Sequence, residues 1–435
     1  MFYFPLKNMA KIAIGVNFKN IYFSNFERIP MDKPVLLVTN HPSAFIEPCI
    51  FGAYLTRNVN WLVRGDMFKK PIFRKFMEDI NLIPIYRSID GFDSIKNNYG
   101  TMEYVHELLS KGEMVHILAE GSTAQVKKPR PLKKGFARMA FGTLDEYSKD
   151  IDIHILPCGI NYTQADKFRS EVMVAIGQPV RIQDYLEEYE KNGAKAIRTL
   201  TSDMEEAMKH LIITIGKEDK SACYEQIFEM HRNNRLRPIF PIYDTTNNQR
   251  FEQEFLVAEK LNNLPDNNLD ALAQKSALYF SKLNDAGLND FGVRNKTFGN
   301  IGKVLVLIFG FVPFLVGKIG AYIPGFIAKK LAETKIKQLE FKAPVAIAGS
   351  IAFYFIAFVI MVIIGIFIAK WWFWVLLLLI PFLGLYALIY QEYFAHWWSA
   401  IKFKRAPKVL QEELIKLRED ILRQASSETK NHIHK

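Results

Sequence analysis

Apolar and polar positions follow two rhythms along most of this chain, and a third regime takes over toward its C-terminus. Through the first 180 residues, short apolar β-type runs at 34–39, 60–63, 82–86, 114–119, 153–157 and 172–175 read as strands. Stretches of helical spacing lie between them, at 99–111 and 134–147. The alternation predicts an α/β fold: a mixed, largely parallel sheet flanked by helices. In open sheets of this kind the turns at strand ends carry the chemistry. Residues 184–217 read as strongly charged helix. Residues 219–300 are richer in Asn, Asp and Gln yet keep helical spacing at 250–262 and 268–284, which predicts a helical subdomain.

The third regime is apolar. Residues 304–316 are uncharged but hold Gly310 and Pro313, and Gly317, Lys318, Gly320, Pro324 and Gly325 follow. A run so short and so broken suits a re-entrant or interfacial hairpin better than a span. Residues 345–369 and 371–390 are two continuous apolar stretches with Lys370 between them, which predicts a transmembrane helical hairpin. Aromatics mark its joint and far end: Trp371, Trp372, Trp374, Tyr390, Trp397 and Trp398. Lys329, Lys330, Lys335, Lys337 and Lys342 precede the pair, and Lys402, Lys404, Arg405 and Lys408 follow it. By the positive-inside rule both flanks are cytoplasmic. If 304–328 does not cross, the preceding domain is cytoplasmic too, and the protein is integral to the membrane. At the other end, Phe2, Tyr3, Phe4, Phe18, Tyr22 and Phe23 mix with Lys7, Lys11 and Lys19, so 1–27 reads as an interfacial helix, with an ordinary domain-packing helix as the plainer alternative. The divisions are then 1–27 interfacial helix, 28–190 α/β domain, 191–300 helical subdomain, 301–344 re-entrant or interfacial segment and basic loop, 345–391 transmembrane hairpin, and 392–435 basic amphipathic tail.

Charge sharpens this picture. The net charge of +11, beside apolar spans, points to an anionic membrane face as partner rather than nucleic acid, for which no reading motif is present. Cys49, Cys158 and Cys223 are scattered without disulfide or metal spacing, which implies a reducing compartment. No cleavable signal peptide is evident. His432 and His434 lie in a polar tail and imply no metal centre.

The candidate chemistry sits at strand ends. The apolar run 35–39 delivers Asn40 and His41 to a turn bracketed by Pro42 and Pro48, and Glu47 follows. Six residues is about 600° of helix rotation, so the pair cannot share a face of one regular helix. A turn opening at His41, with Ser43 as helix N-cap, folds the carboxylate back toward the imidazole. That pair suits a general base and its orienting acid; a strand-end histidine near an unrelated glutamate is the plainer alternative. After 114–119 comes a small polar loop, Glu120, Gly121, Ser122 and Thr123, of the kind that presents N–H groups to a phosphate or oxyanion. Lys127, Lys128, Arg130, Lys133 and Lys134 follow, suited to an acidic substrate or simply to a solvated face. Arg64 and Arg87 stand beside two further strand ends, and the guanidinium fork suits phosphate.

In this order the blocks resemble the glycerolipid acyltransferase family, which includes lysophosphatidic acid and glycerol-3-phosphate acyltransferases. The family's first motif is His, four residues, Asp. Here five residues intervene and Glu47 stands in the acid's place; the five-residue spacing resembles a fungal-type glycerol-3-phosphate acyltransferase branch. Arg64, Asp66 and Phe68, with 83–87, match the second block. Leu118 to Ser122 match the third, with Ala119 where the family has proline. Leu132 to Ala140 match the downstream Lys-x-Gly-x-Ala-Arg element, and 155–157 with Asn161 and Tyr162 match the fourth. The resemblance covers roughly residues 10–190. It implies transfer of a fatty acyl group from an acyl thioester, on CoA or acyl carrier protein, to a glycerophosphate hydroxyl at the membrane. It casts His41 as base and Glu47 as its orienting acid. Arg64, Arg87, Glu120, Gly121 and Ser122 would hold the acceptor, Glu120 by taking a hydroxyl or ordering the loop rather than by meeting the phosphate, and Lys127, Lys128, Arg130 and Lys133 would guide the donor's carrier. No bound cofactor and no metal are implied. Acylation of another lysolipid or amino lipid, or an inert lipid-binding scaffold that has drifted at Glu47, are the alternatives.

Overall fold

The computed structural model describes residues 3–68, 71–86, 98–235, 238–300 and 302–426. The chain forms two compact units. The first comprises Met1–Ile213, Ile242–Phe251 and Ile336–Ile347; the second comprises Thr214–Pro241, Glu252–Lys335 and Ala348–Lys435.

The first unit is built on a nine-stranded sheet: β1 Phe18–Ser24, β2 Val35–Thr39, β3 Asn60–Arg64, β4 Leu82–Ile85, β5 Met114–Leu118, β6 His154–Tyr162, β7 Ser170–Ile176, β8 Val180–Arg181 and β9 Ile242–Asp244. The order is β4-β3-β5-β2-β6-β7-β1-β9, with β8 paired to β6. Strands β4, β3, β5, β2 and β6 all run parallel, whereas β6 meets β7 antiparallel. Parallel neighbours require crossovers, and the helices Ile46–Tyr54, Pro71–Asp79, Asn98–Ser110 and Gly135–Glu146 supply them. The central strand β2 is buried at every position, as its unbroken apolar run requires. The shared direction has one consequence for function. The loops after Thr39, Arg64, Ile85 and Leu118, and the end of β6 at Tyr162, all leave from the same edge of the sheet.

The α/β expectation holds, with three corrections. Residues 1–27 are not one interfacial helix: the helix Tyr3–Asn17 ends where β1 begins, and all seven residues of β1 are buried. Its aromatics pack in the sheet core; Phe18 lies 5.4 Å from the Tyr162 ring and Phe23 lies 5.6 Å from Phe26. An aromatic-rich run satisfies a buried strand as well as a membrane surface, and its lysine pattern alone does not separate the two. Strand β6 runs five residues past Pro157, which sits inside the strand rather than ending it. Strand β9 comes from the stretch expected to be purely helical. At Gly159 of β6 a Cβ would fall 1.9 Å from the Leu211 carbonyl oxygen, so only glycine admits this approach to the chain after helix Gly193–Lys209.

The second unit is helical. Ser221–Asn233, Asp266–Asp285, Asp290–Arg294 and Lys408–Ser426 surround a buried ion pair in which Arg418 Nε donates to Asp290 Oδ1 at 2.7 Å. Tyr279 Oη and Asn233 Nδ2 also donate to Asp290, at 2.7 and 2.9 Å, so the buried carboxylate is fully satisfied.

Among the described residues, three helices are long and apolar enough to cross a membrane: Gly302–Lys335, Leu339–Ile368 and Trp371–Arg405. The last two match the expected hairpin, joined at Ala369 and Lys370. The first corrects the expected break: it is one helix of 34 residues that carries Pro313 and Pro324 in its interior. Tight packing on a neighbour accommodates it. A Cβ at Gly317 would meet the Leu383 carbonyl oxygen at 1.9 Å, and Tyr390 Oη donates to the Leu307 carbonyl at 2.7 Å. Small residues and interhelical hydrogen bonds of this sort hold helices together in lipid, where helix-breaking residues are tolerated.

Candidate active site

The site forms where β2, β5 and β6 end. Asn40 anchors its floor: Asn40 Nδ2 donates to the Ile160 carbonyl at 3.0 Å, and the Ile160 N–H donates to Asn40 Oδ1 at 2.7 Å. This pair of bonds locks the end of β2 to β6 just before His41.

His41 and Glu47 do meet. Nδ1 of His41 lies 3.2 Å from Glu47 Oε2, and the glutamate is fully buried. The local fold explains the reach. Glu47 falls in the first turn of helix Ile46–Tyr54, with Phe45 preceding it as the cap. Its side chain turns back over the helix N-terminus, and Oε1 accepts the Ser43 N–H at 2.7 Å. A carboxylate there is favoured by the exposed N–H groups and the helix dipole. Ser43 therefore contributes its backbone rather than the side-chain cap expected of it. Tyr162 Oη also donates to Glu47 Oε1, at 3.2 Å. Burial pushes the Glu47 carboxyl up, and the hydrogen bonds from His41 and Ser43 oppose that shift.

On its other side the imidazole meets a hydroxyl. Thr123 Oγ1 lies 2.7 Å from His41 Nε2. A carboxylate, an imidazole and a hydroxyl thus stand in line, an arrangement that can take a proton from an oxygen and hold the resulting imidazolium. Beneath them His116 of β5 is fully buried, with Nε2 at 2.9 Å from Thr39 Oγ1; burial pushes its pKa down to about 3, so it stays neutral.

Glu120 does not point outward. It is buried, and Oε2 accepts the His41 N–H at 2.9 Å while also pairing with the Arg130 guanidinium. The Arg130 N–H donates to Glu120 Oε1 at 3.3 Å, and Arg130 Nη1 donates to Ser122 Oγ at 3.0 Å. Glu120 and Arg130 thus brace the two loops against each other. Gly121 has a φ of +74° and lies under the Lys133 stem, where a Cβ would come 3.0 Å from Cγ; both features call for glycine. Lys127 Nζ donates to the Thr163 carbonyl at 3.2 Å, and Lys128 and Lys133 are exposed on the same loop. Arg64, exposed at the end of β3, forms a two-pronged pair with Asp66 at 2.6 and 3.1 Å. Arg87 lies outside the described residues.

Thr123 and Tyr162 escaped sequence reasoning as partners. Thr123 follows Ser122 in a loop read only for its N–H groups. Tyr162 lies beyond Pro157, where the strand was expected to stop.

Residues 20–161 match the Acyltransferase family model. Glycerol-3-phosphate O-acyltransferase 1 of Saccharomyces cerevisiae is 33% identical over 137 residues, covering 30% of this chain and 17% of that protein. An uncharacterized acyltransferase of Schizosaccharomyces pombe is 31% identical over 134 residues, covering 30% of this chain and 19% of that protein. The chain thus spans less than a fifth of the length of either curated relative. The crystal structure of the 1-acyl-sn-glycerophosphate (LPA) acyltransferase PlsC from Thermotoga maritima is 17% identical with a TM-score of 0.32, covering 46% of this chain and 79% of that one.

Proposed function

We propose that this chain, whose residues 20–161 form an acyltransferase-family domain, transfers a fatty acyl group from an acyl thioester to a hydroxyl of glycerol-3-phosphate or 1-acylglycerol-3-phosphate. The observation that carries the reading is the line of Glu47, His41 and a hydroxyl, with Thr123 Oγ1 marking where an acceptor oxygen would stand. His41 takes the proton from that oxygen, which attacks the thioester carbonyl. The carbon–sulfur bond breaks, and the departing thiolate regains the proton from the imidazolium. Glu47 holds the imidazole in the tautomer with its free lone pair at Nε2 and stabilises its charged form. The lysines of the 127–133 loop, with Arg130 held behind them on Glu120, suit a phosphate-bearing carrier, CoA or acyl carrier protein, by charge. Lipid products require a site at the bilayer, and the long apolar helices among the described residues are available to hold it there.

The test is acyl transfer by the detergent-purified protein. Radiolabelled acyl-CoA, then acyl carrier protein thioester, is offered with each acceptor separately, beside His41→Ala. Label should enter one product with the wild type and fall to background with the variant. Label in neither product with either donor overturns the reading. The basic flanks at 329–342 and 402–408 suit a cytoplasmic face, and the catalytic domain shares that face if helix Gly302–Lys335 enters and leaves the bilayer on one side. Single cysteines introduced at Asn300 and Lys337 are then labelled by an impermeant maleimide from the same side. Labelling from opposite sides would put helix Gly302–Lys335 across the bilayer and the domain on the far face.

A further inference from the structure

We infer that Tyr162 is a positioning residue of this site: its phenol fixes the Glu47 carboxylate in the orientation that serves His41, as the far end of a relay Tyr162–Glu47–His41–Thr123. The inference rests on His41 being the base.

The argument begins with geometry. Tyr162 is the last residue of β6 and is buried. Its ring packs against Phe18 at 5.4 Å, which sets where the hydroxyl points. The hydroxyl reaches across the sheet edge to Glu47, 115 residues away, at 3.2 Å. Glu47 has two oxygens and two tasks. Oε2 faces His41 Nδ1, so the carboxylate plane must be set from the other oxygen. Oε1 takes the Ser43 N–H and the Tyr162 hydroxyl. The Ser43 bond alone leaves rotation about the terminal torsion, which is a soft coordinate for a glutamate. A second donor from a different strand removes it. A phenylalanine would fill the same core space, so packing does not explain the hydroxyl.

Electrostatics agrees. Burial and the neighbouring Glu47 charge push the Tyr162 phenol well above its usual range, which keeps it a donor. Two neighbouring groups hold their neutral forms near neutral pH. The Cys49 thiol is pushed up to about 12 by burial and by Glu47, and His116 is neutral. Glu120 is paired with Arg130. Removing a donor to the charged Glu47 carboxylate makes that carboxylate more basic and strengthens its hydrogen bond with His41 Nδ1.

The experiment compares wild type with Tyr162→Phe, using His41→Ala as the floor. The expected result is a kcat lowered about tenfold with KM unchanged, and an acid limb of the pH–rate profile moved up by about one pH unit. A second readout needs no substrate: the rate at which diethyl pyrocarbonate modifies His41, followed by peptide mass spectrometry across pH. Its onset should move upward in Tyr162→Phe by the same amount. In a Glu47→Gln background the phenylalanine should produce no further shift. Wild-type profiles in Tyr162→Phe, or an equal shift in both backgrounds, would overturn the inference. A shift in His41 modification from a protein without transferase activity would sink the proposed function and leave the positioning role standing.

Discussion

Thr123 Oγ1 stands 2.7 Å from His41 Nε2, across 82 residues of sequence, and occupies the direction from which a base must meet its substrate. In direct transfer this hydroxyl is a resting partner that an acceptor displaces. Thr123→Ala should then retain activity within about tenfold of wild type, since only one ground-state hydrogen bond is lost. A loss as deep as that of His41→Ala would instead make Thr123 the oxygen that His41 deprotonates. Intact-mass measurement after acyl-CoA alone would then show an acyl adduct.

Glu47 is matched to its turn. Its carboxylate already spans His41, Ser43 and Tyr162 from the first turn of a helix. Glu47→Asp withdraws the carboxylate by about one methylene, and a misplacement near 1 Å costs about a hundredfold in rate. We expect kcat to fall by about that factor. A gain in kcat would mean that the glutamate is a drifted residue and not a fitted one.

Arg130 and Glu120 act as a brace, so their loss should appear in stability as well as rate. Arg130→Ala leaves Glu120 buried without its cation, which typically costs about 3 kcal/mol or more. Thermal unfolding in detergent should show a lowered midpoint for Arg130→Ala, and the double variant Arg130→Met with Glu120→Gln should recover part of it. An unchanged midpoint in Arg130→Ala would free the arginine for a role on the donor.

His116 gives a pH signature. Its ordinary pKa is 6.5 and burial lowers it to about 3 in the fold. Between those values the unfolded chain holds the extra proton and the folded chain does not. This contribution to stability is therefore complete above about 6.5 and is lost as pH falls toward 3, by up to about 1.4 kcal/mol per pH unit. His116→Gln should flatten the stability profile between pH 4 and 6.5 by that slope. Parallel profiles for variant and wild type would contradict it.

Much of this protein was legible locally. The β runs and their intervening helices were readable because a parallel strand is apolar throughout and a crossover helix keeps a 3.6-residue period. His41 and Glu47 were readable as a pair because two prolines bracket a turn at the end of β2. The apolar helices from 339 onward announced themselves by length.

What tertiary structure decided was who meets whom. Strand order brought β5 and β6 to either side of β2, and with them Thr123 and Tyr162 to either end of the His41–Glu47 pair. The same convergence made Glu120 and Arg130 partners of each other. It also drew Phe18–Ser24 into the sheet and helix Gly302–Lys335 into one piece against its neighbour. Periodicity reports the surroundings that each residue needs. It does not report which distant segment supplies them, because crossover connections and sheet order are set by packing the whole core at once.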